Sequence, residues 1–137
     1  METSFRPGSR DRPPTLLDRL ERALEARDLD ALADLYAEDA TLEELSSQSP
    51  PSHPNVVQGR DAILARLREE ALRDPLSGWA RQLERCAILD GFETEDAVAF
   101  TEERTYAAGD KVVATHLAHK HGGRIDRDRV VIARDAD

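Results

Sequence analysis

The sequence is short of several things, and each shortage closes an option. One of its 137 residues is cysteine, so no internal disulfide braces the fold. Cys86, set between Arg85 and Ala87 in an apolar-alternating run, reads as a core or half-buried thiol rather than a reactive one. Positive charge is outnumbered, with 19 Lys and Arg against 28 Asp and Glu and a formal net charge of -9. That balance argues against nucleic acid, whose phosphates call for a basic face. No apolar run approaches the ~18 residues of a membrane span, and Met-Glu-Thr-Ser-Phe-Arg-Pro-Gly-Ser at the start lacks a signal peptide's apolar segment. The expectation is a cytoplasmic protein with no membrane partner. Lysine is scarce as well: Lys111 and Lys120 stand against arginine at every other basic position, which resembles the codon bias of a GC-rich bacterial genome.

What is present suits one domain, long enough to bury roughly two thirds of the unfolded surface. Residues 1 to 14, with Pro7, Gly8, Pro13 and Pro14, read as a disordered lead-in to a single domain over 15 to 137. Thr15, with Asp18 three residues on, starts a helix whose buried stripe is Leu16, Leu17, Leu20, Ala23 and Leu24. It ends near Arg27, after which Asp28 or Asp30 caps a short helix carrying Leu29, Leu32, Leu35 and Tyr36. The pattern then switches to the strand alternation Ala40, Leu42, Glu44 over 40 to 45. The next ten residues, broken by Pro50, Pro51 and Pro54, form a loop long enough to rim a pocket. Gly59, Arg60 and Asp61 open a third helix with Ile63, Leu64, Leu67 and Leu72 on one face, ending by Asp74 and Pro75. Strands follow at about 81 to 90, 96 to 106, 111 to 121 and 124 to 134. Ala107-Ala108-Gly109-Asp110 and Gly122-Gly123 separate the last three as an antiparallel meander. Helices first and sheet second give an α+β class.

Taking the first turn as four residues and the second as two fixes which side chains share a face. Val98, Phe100, Glu102, Arg104, Tyr106, Val113, Thr115, Leu117, His119, His121, Asp126, Asp128, Val130 and Ile132 fall on one face, assigned to the helix-covered side because it holds the bulky apolar residues. Ala97, Ala99, Thr101, Glu103, Val112, Ala114, His116, Ala118, Ile125, Arg127, Val131 and Ala133 fall on the other. That second face is too apolar for water, and a homodimer packed sheet to sheet is expected to cover it. On the covered face Glu102, Arg104, His119, Asp126 and Asp128 lie among apolar neighbours. Unpaired buried charge costs several kcal/mol, so these groups either pair or open onto a pocket.

The segments Asp28-Leu29-Asp30-Ala31-Leu32, Tyr36-Ala37-Glu38-Asp39-Ala40-Thr41 and Gly59-Arg60-Asp61-Ala62-Ile63 together resemble the nuclear-transport-factor-2-like (NTF2-like) superfamily, in its SnoaL-like and ketosteroid-isomerase-like branch, over residues 15 to 134. The resemblance implies a cone-shaped α+β barrel, with three N-terminal helices packed on a curved antiparallel sheet around one deep pocket, usually in a dimer. It also implies that Glu44, following Ala40-Thr41-Leu42-Glu43, stands at the isomerases' general-base position. The two oxyanion-donor positions fall on Leu20 and Leu117, which argues against steroid isomerisation, since such donors supply roughly 3 to 4 kcal/mol each. A partial similarity to the epoxide hydrolase branch runs through Glu103-Arg104-Thr105-Tyr106. There the second acid falls on Val130, and an acid-arginine-acid set is rebuilt from Glu102, Arg104 and Asp128.

The candidate catalytic residues are therefore Glu44 as proton acceptor, Arg104 and His119 as electrostatic or acid partners, and Asp128. Tyr36, Trp79, Phe100, Glu102, Leu117 and Val130 are candidates to line the ligand site. Each has a plainer reading: Glu44 paired to Arg60 or Arg104, His119 held structurally by Asp126, and Trp79 and Tyr36 packing on the core. His119 and His121 share a face about 6 to 7 Å apart, with no cysteine near, so neither a metal nor a cofactor is expected. The function expected is binding of a small apolar or amphipathic molecule, with or without cofactor-free isomerase, cyclase, dehydratase or hydrolase chemistry.

Overall fold

The computed structural model describes residues 13–72 and 83–135. Its elements are α1 (Leu16–Ala26), α2 (Leu29–Ala33), β1 (Tyr36–Leu45), β2 (Asn55–Gln58), α3 (Arg60–Leu72), β3 (Leu83–Glu93), β4 (Ala97–Tyr106), β5 (Lys111–His121) and β6 (Arg124–Arg134). The expected lead-in falls largely on residues 1–12, outside the described residues, as does the end of the third helix.

Local chemistry sets the helix boundaries. The Thr15 hydroxyl accepts from the Asp18 amide while the Asp18 carboxylate accepts from the Thr15 amide, a reciprocal cap at the start of α1. Glu93 of β3 takes the next two amides, those of Leu16 and Leu17, and Lys120 of β5 pairs with it. Arg27 closes the helix in the left-handed region at φ 57°, and Asp28 caps α2 through the Ala31 amide. Tyr36 belongs to β1 rather than to the short helix, because the chain is already extended there and pairs with Ile125.

The strands form a six-stranded sheet in the order β2-β1-β6-β5-β4-β3. Two expectations need correction. β1 runs parallel to β6, so the sheet is mixed, and β2, which begins at the last residue of the expected loop, pairs antiparallel with β1. With β2 and β3 as edges the sheet is open rather than a closed barrel.

The third correction matters most for the site. The β4–β5 turn holds three residues, not four. Gly109, at φ 96°, donates to the Tyr106 carbonyl, and Thr105 rather than Tyr106 faces Lys111. A one-residue slip turns every side chain of the next strand over, so Val112, Ala114, His116 and Ala118 point under the helices and Leu117 and His119 point away. Across Gly122-Gly123 the pairing is the expected His121 with Arg124, but an irregularity after His119 places it opposite Arg127 and leaves Asp126 as the extra residue. That bulge reverses the slip, and Asp128, Val130 and Ile132 return to the covered face.

The core between helices and sheet is aliphatic: Leu16, Leu20 and Leu24 of α1 and Ile63 of α3 meet Ala40, Leu42, Val98, Ala114, Ala118, Ile125 and Val130. Ala114 and Ala118 leave room there that bulkier β5 residues would have filled.

Candidate functional site

Within that layer lies a cavity of about 70 Å³. Leu20, Leu24, Leu32 and Leu67 line it from the helices, with Leu42, Phe100, Val130 and Ile132 added from the sheet. Its polar lining is Tyr36, Glu44, Glu70, Glu102, Arg104 and His116. The Ser/Pro loop supplies none of these side chains, although Asn55 at its end reaches Glu44.

Five side chains on four strands are linked in a row. The Tyr36 hydroxyl donates to Asp128 Oδ2 at 2.7 Å. His116 Nδ1 lies 3.0 Å from the same oxygen and Nε2 lies 3.2 Å from Glu102 Oε1. Arg104 Nε donates to Glu102 Oε2 at 3.0 Å, and the Cys86 thiol touches that oxygen at 3.8 Å. Both imidazole nitrogens face carboxylate oxygens, which carry no proton when ionised, so both must bear hydrogen and the ring is the cation. The His116 ring also stacks on Phe100, centroids 4.3 Å apart and planes within 8°.

Electrostatics agrees with this assignment. Burial alone would lower His116, but the charge and hydrogen bond of Asp128, then those of Glu102, outweigh it and raise it to about 10. Burial likewise would raise Glu102, yet Arg104 and then His116 bring it down to about 2. Arg104 is held cationic by Glu102 against its own burial. Burial, followed by the negative charge of Asp128, puts the Tyr36 hydroxyl well above the ordinary phenol value, so it stays protonated. The Cys86 thiol is pushed up to about 12 by burial and then by Glu102, which suits an inert core thiol. Two carboxylates and two cations cancel, and the row carries no net charge.

Glu44, on β1, also lines the cavity and is half-buried. Asn55 Nδ2 donates to its Oε1 at 2.6 Å and Arg66 Nε to the same oxygen at 3.0 Å. Its partner is thus Arg66 of α3, neither Arg60, whose Nε donates to the Tyr36 carbonyl, nor Arg104. Arg66 also reaches Glu70, which pairs with Arg134.

Of the residues singled out from the sequence, Tyr36, Glu44, Phe100, Glu102, Arg104 and Val130 line the cavity, and Asp128 stands fully buried behind them. His119 and Leu117 do not. Both lie on the uncovered face, where Leu117 is 57% exposed, because the shorter β4–β5 turn rotates β5. His119 therefore faces Arg127, and Asp126 is exposed in the bulge. Trp79 lies outside the described residues. The residue missed was His116. The signal for it was available in the run Val112, Ala114, His116, Ala118, a stripe of small residues such as a covered strand carries, beside a glycine suited to a three-residue turn. Among the described residues no group of three or more His, Cys, Asp or Glu side chains is arranged to hold a metal ion.

An α+β sheet whose covered face keeps an apolar cavity tipped with buried charge defines a pocketed domain. The chain belongs to the SnoaL-like domain family, whose model matches residues 17–134. Solved structures share the fold. An NTF-2 like protein of unknown function from Burkholderia xenovorans aligns at 17% identity and TM-score 0.64, over 86% of this chain and 80% of that one. A putative ketosteroid isomerase from Kribbella flavida aligns at 15% and 0.63, over 89% and 78%. A protein of ketosteroid isomerase-like fold from Catenulispora acidiphila, in complex with trimethylamine, aligns at 18% and 0.58, over 85% and 84%. No curated protein matches the sequence.

Proposed function

We propose that this protein binds a small, partly apolar molecule in the cavity and carries out cofactor-free acid/base chemistry on it, with Glu44 as the proton acceptor. One observation carries the reading: both hydrogen bonds to Glu44 land on Oε1, which leaves Oε2 for a guest in the cavity that Glu44 lines. His116 is a fixed cation rather than a proton shuttle, since both its nitrogens are held by carboxylates. Negative charge developing on a substrate as Glu44 takes its proton would be met by His116 and Arg104 in a low-dielectric setting, where such preorganised charge counts most. His116 thus takes the part first given to His119, and Asp128 orients it and Tyr36 from behind.

A ligand carrier without turnover is the second reading. The internal use of the Tyr36 and His116 protons favours it, because neither is poised to be given away. Proton exchange separates the two. Small cyclic hydroxyketones in D2O should lose the proton next to their carbonyl faster with the protein than without, and Glu44→Gln should slow this by about 100-fold or more. Ligand binding with no exchange above buffer would leave the carrier reading standing.

The same proposal includes a homodimer through the uncovered sheet face, on altered grounds. Val112, Ala114, Ala118 and Ile125 are buried under the helices. Leu117, Val131 and Val56 remain exposed there, at 57%, 50% and 56%, beside Arg127 and Arg129. Light scattering reporting a monomer at micromolar concentration would refute the dimer. None of the helices in the described residues is long and apolar enough to cross a membrane.

A further inference from the structure

The hydrogen-bonding capacity of the cavity wall is lopsided. An imidazolium has two N–H groups, and His116 spends one on Asp128 and the other on Glu102. A phenol has one O–H, and Tyr36 spends it on Asp128. Neither has a hydrogen left for a guest, while the Tyr36 oxygen keeps acceptor capacity. Glu102 accepts on both oxygens from His116 and Arg104. Arg104 is drawn toward Glu102 and Tyr106, and Glu70 is tied to Arg66 and Arg134. What Glu44 and Tyr36 offer a guest is acceptor oxygen, set in aliphatic surface.

We infer that the natural ligand is a small, mainly hydrocarbon molecule carrying a hydrogen-bond donor, a hydroxyl or a protonated amine, placed to donate to Glu44. This rests on the reading of the cavity as a small-molecule pocket and narrows it to a ligand class. A ketone or ether of the same shape would leave buried acceptors facing its own lone pairs. A carboxylate would add repulsion from Glu44. Sites built to pair a polar group discriminate strongly against the analogue that lacks it, because their own buried groups are then left unsatisfied. Fit to the leucine wall sets the hydrocarbon part, while the donor sets orientation.

A series of equal shape tests this on the full chain: cyclohexanol, cyclohexylamine, cyclohexanone and cyclohexanecarboxylate, titrated with protein-observed NMR. The alcohol and the amine should bind at least about tenfold more tightly than the ketone and the acid. Glu44→Gln, which swaps an acceptor for an amide bearing N–H groups, should erase most of that preference and improve the ketone. Leu67→Trp, which fills the space between α3 and the sheet, should abolish binding of all four and so place it in this cavity. Ketone or carboxylate binding equal to or tighter than alcohol and amine would overturn the inference while leaving the pocket intact. No binding by any of the four would overturn the pocket reading and the inference together.

Discussion

Replacing His116 with Phe is the most informative single perturbation of this domain. Phenylalanine keeps the stack on Phe100 and most of the volume, so the change isolates the charge. It strips a shared cation from two buried carboxylates: Glu102 is left with Arg104, and Asp128 with one neutral hydroxyl. Removing one member of a buried ion pair typically costs about 3 to 5 kcal/mol, which in a domain of this size is a fall in Tm of roughly 10 to 20 °C. A second route gives a similar figure. A ring raised from its ordinary 6.5 to about 10 contributes on the order of 4 to 5 kcal/mol at about 1.4 kcal/mol per unit. The sign follows from linkage. A raised folded-state value means the contribution is full below about 6.5 and is lost as pH climbs through about 10, with a slope near 1.4 kcal/mol per pH unit between them. Urea unfolding at about pH 6, 7.5 and 9, followed by far-ultraviolet circular dichroism, reads both quantities. The wild type should lose about 2 kcal/mol relative to His116→Phe between the upper two points. A variant within about 1 kcal/mol of wild type at neutral pH, with a parallel pH dependence, would refute the assignment of His116 as a buried, doubly paired cation.

Asp128→Asn should bring the His116 ring down from about 10 while keeping its hydrogen-bonding shape. A ring-proton NMR titration with an unmoved midpoint would show that the charge of Asp128 is not what holds the cation. Gly91→Ala should destabilise by roughly 1 to 3 kcal/mol in thermal melts, because the added carbon would sit 2.9 Å from both the Ala99 carbonyl oxygen and Phe100 Cβ; an unchanged Tm contradicts that close approach. Glu93→Gln should cost about 1 to 2 kcal/mol at neutral pH through the α1 amides and Lys120. Burial opposes ionisation of Glu93, but Lys120 and the two amides hold it below its ordinary value. The deficit should therefore close as the pH of the melts falls through that lowered value, whereas a constant gap argues against the charged cap. Replacing the row together, as Tyr36→Phe, Glu102→Leu, Arg104→Met, His116→Phe and Asp128→Leu, should give a protein more stable to urea than His116→Phe alone. Greater loss than the single variant would mark the row as a net stabiliser.

Sequence chemistry fixes the helices well because their signals are local. Thr15 and Asp18 cap through atoms three residues apart, and Asp28 does the same for α2. β2 was hidden because Pro50, Pro51 and Pro54 end just before Asn55 and a four-residue strand carries no periodicity of its own. The faces of β4 and the far half of β6 were legible, and those of β5 were not. A strand's face depends on the count of residues in the turn before it, and Ala107-Ala108-Gly109-Asp110 admits both a three-residue and a four-residue reading. His116 and His119 exchange places on that one residue. Asp128 was found for an accidental reason, since the bulge at Asp126 undoes an error made at Gly109.

The neutrality of the buried row also bears on what it is for. Aliphatic side chains of similar volume would fill the same space without the desolvation cost of four ions, so stability alone is a weak reason for Tyr36, Glu102, Arg104, His116 and Asp128 to occupy the inner sheet. Their cost is contained by mutual pairing: each carboxylate is satisfied within the row and the sum of charge is zero, which is why the core can hold them beside Phe100 and Val130. Pairing of this kind fixes a cation and a hydroxyl in orientation without letting either exchange protons freely. Glu44 differs from every member of the row, being half-buried and held on one oxygen by groups outside it. A rigid polar row and a single carboxylate held on one oxygen, set in aliphatic surface, give a guest one definite way to lie.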